Sequence, residues 1–528
     1  MQRAKSKGRP RQCCDKVANP IKPGSGQKYQ EEVVLSTPTL GLVLSYNSTP
    51  VNQVPFDPYP FGNGWAFNYG MRVFLSYQDV AGVTRPDGRV LEFSPPTSGN
   101  VYIPEADISD TLEKLFDSSS VHTGWKYTVG GSETVELYDE VGKLISITQR
   151  EGKTTTLTYS TASTPVSIAR KPGLLIDVAD HFGRSLALKY DFQSRVVSVT
   201  DPAGSEHKFL YDEASAVVLS GQPTGNNLTS IEFPGTERRV FHYNEQAHTA
   251  GANLRNALTG ITDENNNRFS TYQYNSSAQA VSSAHAGGVN SYSITYNTDG
   301  TRTITDPLGT ARSYSYQTLL GTARTTAISG PACPTCGPAA QTYDSNGFVA
   351  SRTDWNGNLT TYTRADPSGR LDLETSRTEA SGSGVARTIT TQWHATFRLP
   401  TLITEPGRTT AFTHDANGNV LTRTVTDTVT SAARTWTYTW STIGQLLSVD
   451  GPRTDVSDLT SYTYYADTDS DPGKRGNLAT VTNPAGQVTS ITAYDANGRP
   501  TTLVDPNGLT TTLAYHLRGW LISRQVGT

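Results

Sequence analysis

The chain has 528 residues, a formal net charge of −4 and a charged fraction of 17%, below the roughly 25% usual in soluble proteins. Threonine, glycine and tyrosine take the place of the missing charges, methionine is nearly absent at 2, and the hydroxyls of Thr- and Tyr-rich strands keep such a chain in solution. No run of about 18 apolar residues offers a membrane span, and neither the net charge nor any basic stripe interleaved with aromatics points to nucleic acid.

The chain opens on MQRAKSKGRPRQCCDKVANP, with six basic residues (Arg3, Lys5, Lys7, Arg9, Arg11, Lys16) before Ala18 and no apolar stretch after them. A secretory signal needs that stretch. Residues 1–18 therefore read as a disordered basic tail. A true start upstream with the signal lost, and a basic arm that binds nucleic acid, stay open as alternatives. Four conspicuous strings follow: NPIKPGSGQKYQEEVVL (Asn19 to Leu35), LSYNS (Leu44 to Ser48), GNGWAFNY (Gly62 to Tyr69) and RPDGRVLEF (Arg85 to Phe93). Beyond them EADISDTLEKLFDSS, Glu105 to Ser119, reads as one short helix, the single helical piece expected in an otherwise turn-punctuated chain.

From about residue 131 a unit recurs. Tyr138-Asp139 with Gly142 leads through Gly152 to Tyr159, and Tyr190-Asp191 leads through Asp201 and Gly204 to Tyr211, 21 residues from Tyr to Tyr in both. Tyr296-Asn297 reaches Tyr316 after 20 residues, passing Gly300 and Asp306-Pro307-Leu308-Gly309. Tyr343-Asp344 with Gly347 precedes Asp354 and Gly357, and Tyr494-Asp495 with Gly498 leads through Asp505 and Gly508 to Tyr515, again 21 residues. His414-Asp415 with Gly418 has His in the Tyr place, and Asp263 to Tyr274 has Asn267 where Gly is expected. Asn-Gly and Asp-Pro-Asn-Gly are strong turn signals, because glycine accepts φ > 0 and the Asp side chain bonds the backbone two residues ahead. The Thr-, Val-, Leu- and Tyr-rich runs between turns suit strands. Each unit reads as a hairpin. A lone hairpin is marginal in water, so successive hairpins must pair edge to edge. The twisted meander that results curls, with its tyrosines in one row, rings buried and hydroxyls reaching water. Gly347, Gly418 and Gly498 are expected at φ > 0.

Cys333-Pro334-Thr335-Cys336 interrupts the repeats just before Tyr343. A zinc site needs two more ligands nearby, and the nearest histidines are His285 and His394. The flanks, SGPACPTCGPAA, break helices, whereas thioredoxin-like chemistry wants the first Cys at a helix N-terminus. A local Cys333–Cys336 disulfide, or two free thiols, pinning a loop is the expectation.

The pattern Y-D-x-x-G, then D-x-x-G about ten residues later, resembles the Rhs/YD-repeat family, and the four strings of the head resemble the domain that precedes bacterial Rhs repeats. That family includes bacterial polymorphic toxins, wall-associated repeat proteins, shell subunits of insecticidal toxin complexes and animal teneurins. The resemblance implies an amino-terminal Rhs-associated β domain over 19–130 and YD repeats over 131–528. It also implies an all-β fold of tandem hairpins wound into part of a spiral shell, and a secreted or cell-surface location. Toxin-bearing members end their shell with D-P-x-G-L segments whose aspartates cleave the chain. Here Asp505-Pro506-Asn507-Gly508-Leu509 has the flanks of an ordinary repeat and no matching second segment, so the chain reads as truncated, without core and toxin.

A search for chemistry finds no G-x-S-x-G, H-E-x-x-H or P-loop string. The recurring D-x-N-G is no EF-hand loop: counted from Asp344, the twelfth position is Trp355. His181 and His516 read as turn residues. No catalytic residue, metal ligand or cofactor is therefore assigned, and the chain reads as a non-enzyme. Two functions from different classes remain. One is an encapsulating wall whose partner is a carboxy-terminal toxin or other enclosed polypeptide. The other is a cell-surface adhesin that stacks glycan on WTYTW (Trp436 to Trp440) and SYTYY (Ser461 to Tyr465), although alternating aromatics also suit an ordinary strand face.

Overall fold

A computed structural model describes residues 16–48, 60–217 and 226–527. Most of the expected basic tail, with Cys13 and Cys14, lies outside the described residues. Within them the chain is all β: there is no α-helix, only single 3₁₀ turns. Four strands, β1 (Ile21–Lys22), β2 (Gln27–Ser36), β3 (Gly41–Asn47) and β4 (Trp65–Phe67), make a small antiparallel sheet in chain order. From β5 (Val73–Leu75) to β42 (Leu521–Val526) every strand pairs antiparallel with the next. Among the described residues no ladder joins β42 back to β5, so this is one open meander of 38 strands. Its ladder runs on without a break at residue 130, where Thr111–Phe116 pairs His122–Thr128 and that strand pairs Val135–Asp139.

The helix expected at Glu105 to Ser119 is not there. Thr111–Phe116 is a strand between Val101–Pro104 and His122–Thr128. Leu112 is fully buried and Tyr127 stands opposite it. Two waiting ladder edges and that cross-strand pair outweigh the modest helix preference of Glu, Lys and Leu.

The repeat that opens at Tyr494 shows how a unit is closed. In the turn after Tyr494, Asp495 Oδ1 accepts the backbone N–H of Asn497 and of Arg499, and Oδ2 accepts Arg499 Nε. Gly498 follows at φ 80, as Gly347 and Gly418 do in theirs at 81 and 77. A further contact corrects the expectation that the tyrosine hydroxyls reach water. Tyr515 Oη donates to Pro500 O at 2.9 Å, Tyr494 Oη to Leu478 O at 2.6 Å, Tyr211 Oη to Val196 O at 2.6 Å and Tyr190 Oη to Leu175 O at 2.7 Å. Every acceptor lies on the strand opposite the tyrosine's own, beside a β-bulge, and for Tyr515 and Tyr211 it is the carbonyl two residues past the preceding turn's fourth position. The tyrosine of one unit therefore staples the bulged turn of the unit before it, which ties the 21-residue spacing to a hydrogen bond. Where the sequence has Trp440, its indole Nε1 does the same to Val420 O at 2.8 Å.

The sheet also winds back on itself. Arg398 donates its backbone N–H to Glu133 Oε1 at 2.6 Å, Arg150 Nε donates to Asn417 O at 3.0 Å, and Asn497 Nδ2 donates to Asp201 Oδ2 at 3.0 Å. These partners are 265, 267 and 296 residues apart. Turns of a second coil thus rest on turns of the first. Gly498 and Gly508 separate this seam from the plain turn. Both have φ near 80, but a Cβ at Gly498 would come within 2.8 Å of Arg184 Nη1 across the seam, and one at Gly508 would meet nothing. Valine at either position is expected to cost on the order of 1 kcal/mol for the backbone. Gly498→Val should additionally loosen residues 182–184 in hydrogen exchange, and Gly508→Val should not.

Candidate functional site

Alternation along the strands gives the wall two faces. One is a ladder of paired hydroxyls: Thr413 with Thr422 at 2.7 Å, Thr424 with Thr435 at 2.9 Å, Thr439 with Ser448 at 2.6 Å and Thr463 with Thr480 at 2.7 Å. The other holds the stapling tyrosines with Ile, Val, Leu and further aromatics. Over the first coil this aromatic face is covered by the small sheet. Trp65 Nε1 donates to Tyr243 Oη at 2.9 Å and packs on Phe241 at 5.0 Å, and Phe61 packs on Phe209 at 4.9 Å. Lys28 Nζ sits 4.1 Å over the Tyr272 ring, and Glu32 pairs with Arg239. Burial holds the hydroxyls of Tyr243, Tyr272 and Tyr274 above their ordinary pKa, so they remain neutral donors.

Over the second coil the described residues place no such cover on the same face. Phe412, Trp436, Tyr438, Tyr462, Ile491 and Leu503 lie in register on it and are half-buried. Arg423 stands 4.9 Å over the Trp436 ring. Trp440 and Tyr464 are staples, and Tyr465 Oη donates to Ile491 O at 2.7 Å. WTYTW and SYTYY are thus strand faces whose polar ends are largely engaged.

A cavity of about 430 Å³ lies where the small sheet meets the early repeats. Trp65, Phe67, Met71, Lys143, Tyr159 and Tyr190 are among its walls.

The structure places the repeat residues in structural roles and does not gather them into one site. Asp191 accepts the N–H of Gln193 and Arg195, Asp344 those of Asn346 and Phe348, Asp354 those of Asn356 and Asn358, and Asp505 those of Asn507 and Leu509. Asp201 caps its own turn and also holds Asn497 across the seam. Gly204, Gly357 and Gly508 have φ 83, 84 and 81, and Tyr343 staples Thr325 O at 2.8 Å. Cys333 and Cys336 form a disulfide with a Cα–Cα distance of 5.3 Å. Among the described residues no group of three His, Cys, Asp or Glu is placed to hold a metal ion.

The seam is what sequence reading missed. Glu264 Oε1 accepts Arg239 Nη2 and Arg518 Nη2, both at 2.8 Å, while Arg239 also reaches Glu32. Arg239 and Glu264 together therefore join the small sheet, the first coil and the second. Arg518 further stacks 3.6 Å over Phe233.

Residues 494–527 match the RHS repeat family, and residues 18–93 match a domain of unknown function, DUF6531. No curated protein sequence matches the chain. Among solved structures, the crystal structure of TcdB2-TccC3 aligns over 97% of this chain and 34% of its own length, at 12% identity and a TM-score of 0.46. The Photorhabdus luminescens Tc holotoxin pore aligns over 94% of this chain and 29% of its own, at 12% identity and a TM-score of 0.48. The N-terminal domain of the effector SpvB from Salmonella typhimurium covers 56% of this chain at 14% identity, with a TM-score of 0.14. The chain thus spans about a third of the length of the first of these structures.

Proposed function

We propose that this chain, an Rhs/YD-repeat protein, is a segment of a structural shell whose aromatic face contacts an enclosed polypeptide. The observation that carries the reading is the change between coils: the first coil's aromatic face is sealed by the small sheet, the second coil's is half-bare over the same kind of strand. A half-exposed apolar face on a folded wall is an interaction surface. The occupant is a polypeptide joined to the shell or delivered with it, in the manner of a carboxy-terminal toxin, and the shell works outside the cell or at its surface. If the face were instead an adhesin platform, glycan would compete for Trp436 and Tyr438.

Paired cysteine variants test the enclosure, made where Cys13 and Cys14 are serine. Tyr438→Cys on the aromatic face is expected to react with a small maleimide but slowly with a bulky polymer-linked one, and Thr439→Cys on the hydroxyl face to react readily with both. Equal rates at the two positions with the bulky reagent would remove the enclosure reading.

The wall itself carries no catalysis in this proposal. Asp505 uses Oδ1 on two backbone N–H groups of its own turn, whereas a protease dyad needs two carboxyls that share a proton. The intact mass is expected to be unchanged after a day at about pH 5 or about pH 7, conditions that span histidine and perturbed-carboxyl titration. Fragments that vanish in Asp505→Asn would place the chain among self-processing shells.

A further inference from the structure

The second-coil turns at Asp415 and Asp495, which rest on the first coil, are capped by aspartate. The turn at 394–399 is capped by histidine, as is the turn at 516–519, where His516 Nδ1 takes only the Arg518 N–H, at 3.3 Å. His394 Nδ1 accepts the backbone N–H of Thr396 and of Phe397, both at 3.1 Å, and the imidazole stacks on Phe397 at 4.8 Å. This turn touches the first coil: Arg398 N–H donates to Glu133 Oε1, Arg398 Nη2 to Ser109 O at 3.2 Å, and Arg150 lies 5.9 Å over the Phe397 ring. The neighbouring turn meets the same arginine, whose Nε donates to Asn417 O. Its entry residue is His414, in the place of a stapling tyrosine, 5.9 Å from His394, with Nδ1 buried and unbonded.

We propose that His394 and His414 form an acid-sensitive latch that holds the second coil to the first while both rings are neutral and releases it when they take up protons. The neutral imidazole has one acceptor nitrogen and the imidazolium has none. Protonation therefore leaves the N–H groups of Thr396 and Phe397 facing a third donor and undoes the cap that presents Arg398 to Glu133.

The charges around the pair do not rescue it. Arg370 donates to His394 O and Phe397 O at 2.8 and 2.9 Å, while Arg150 and Arg398 approach from the two coils. The nearby carboxylates are engaged: Glu133 and Glu151 by Arg150, Asp366 by Arg370, Asp372 by Arg398, and Asp415 by its own turn and Asn419. Burial first, then His394 and Arg150, hold His414 below its ordinary pKa. A histidine so placed binds its proton more readily once the seam has opened. Its contribution is complete above the ordinary histidine range and is lost as pH falls below it.

Hydrogen exchange on the full chain at about pH 7.5 and about pH 5, corrected for intrinsic rates, reads the latch. Protection at 396–399, 417–419 and 150–152 is expected to fall several-fold at the lower pH. The aspartate-capped contact of 497–499 with 201–203 is expected to hold. His394→Asp with His414→Gln supplies the cap used by the other repeats and removes both titrations, so its exchange at these segments should not change with pH. His394→Asp alone, the smaller change, should lose most of the response. Equal protection of the unaltered chain at both pH values, or an acid response that persists in the two variants, would overturn the proposal.

Discussion

Replacing Glu136 by glutamine is expected to cost about 3–5 kcal/mol of local stability where the early strands meet, the range for breaking one side of a buried ion pair. Glu136 is 3% exposed and takes Arg85 in a two-pronged bond, Nη1 to Oε2 at 2.7 Å and Nη2 to Oε1 at 2.8 Å. Tyr138 Oη donates to the same carboxylate at 2.6 Å, and the guanidinium lies 4.3 Å over the Tyr127 ring. Arg85 closes the turn after Ala81–Thr84 and Glu136 stands in Val135–Asp139, strands that are not neighbours in the sheet. The pair therefore ties the start of the meander to its first full repeat. Glutamine keeps the shape but removes the charge, and Arg85 stays cationic because no fold deprotonates a guanidinium. The loss is that of a stranded charge rather than of an attraction, so Arg85→Met with Glu136→Leu should recover most of it. Because stability in a repeat array is local, the readout is exchange at 85–89 and 135–138, not a single melting temperature. Full protection in Glu136→Gln would mean that water reaches the pair.

What the sequence discloses and what it hides divide along contact range. The turn chemistry of Asp495, Gly498, Asp505 and Gly508 was legible because each contact spans four residues or fewer. The tyrosine row was legible as a period, but its hydroxyl partner was not. The acceptor lies 15 residues back, beside a bulge that no residue type announces. The short helix at Glu105 to Ser119 failed for the reverse reason: local preference pointed one way and two flanking strands the other. The seam was invisible. Arg150, Arg398 and Asn497 look like ordinary turn and strand residues until the sheet has completed a coil and brought in partners 265 to 296 residues away. Histidine in the Asp place at 394 and 516 and in the Tyr place at 414 is a mark the seam leaves in the sequence, and at 394 and 414 it gains meaning only once Arg150 stands beside both.

Trp65→Ala is expected to have the other large effect, about 3–5 kcal/mol for a fully buried tryptophan cut back in a packed core. Trp65 is 0% exposed and ends the small sheet as it lands on the wall. Its indole packs against Tyr46 at 5.4 Å and Phe241 at 5.0 Å, and its Nε1 donates to Tyr243 Oη. Tyr243 in turn staples Leu228 O at 2.8 Å. One truncation thus leaves a void between the two layers and strips a donor from a staple of the first coil. Trp436, on the same face one coil later, is half-buried, and Arg423 stacks on its ring. An exposed cation–aromatic contact is worth about 0.5–1 kcal/mol, so Trp436→Ala should cost far less. Exchange in Trp65→Ala is expected to rise across 41–47 and 228–243, and beyond 349 to change only at the turn of 516–519 that rests on Phe233, since elsewhere each repeat feels only its neighbours. If the two variants proved equally damaging, the bare face of the second coil would already be packed against something, and its availability to an enclosed polypeptide would have to be given up.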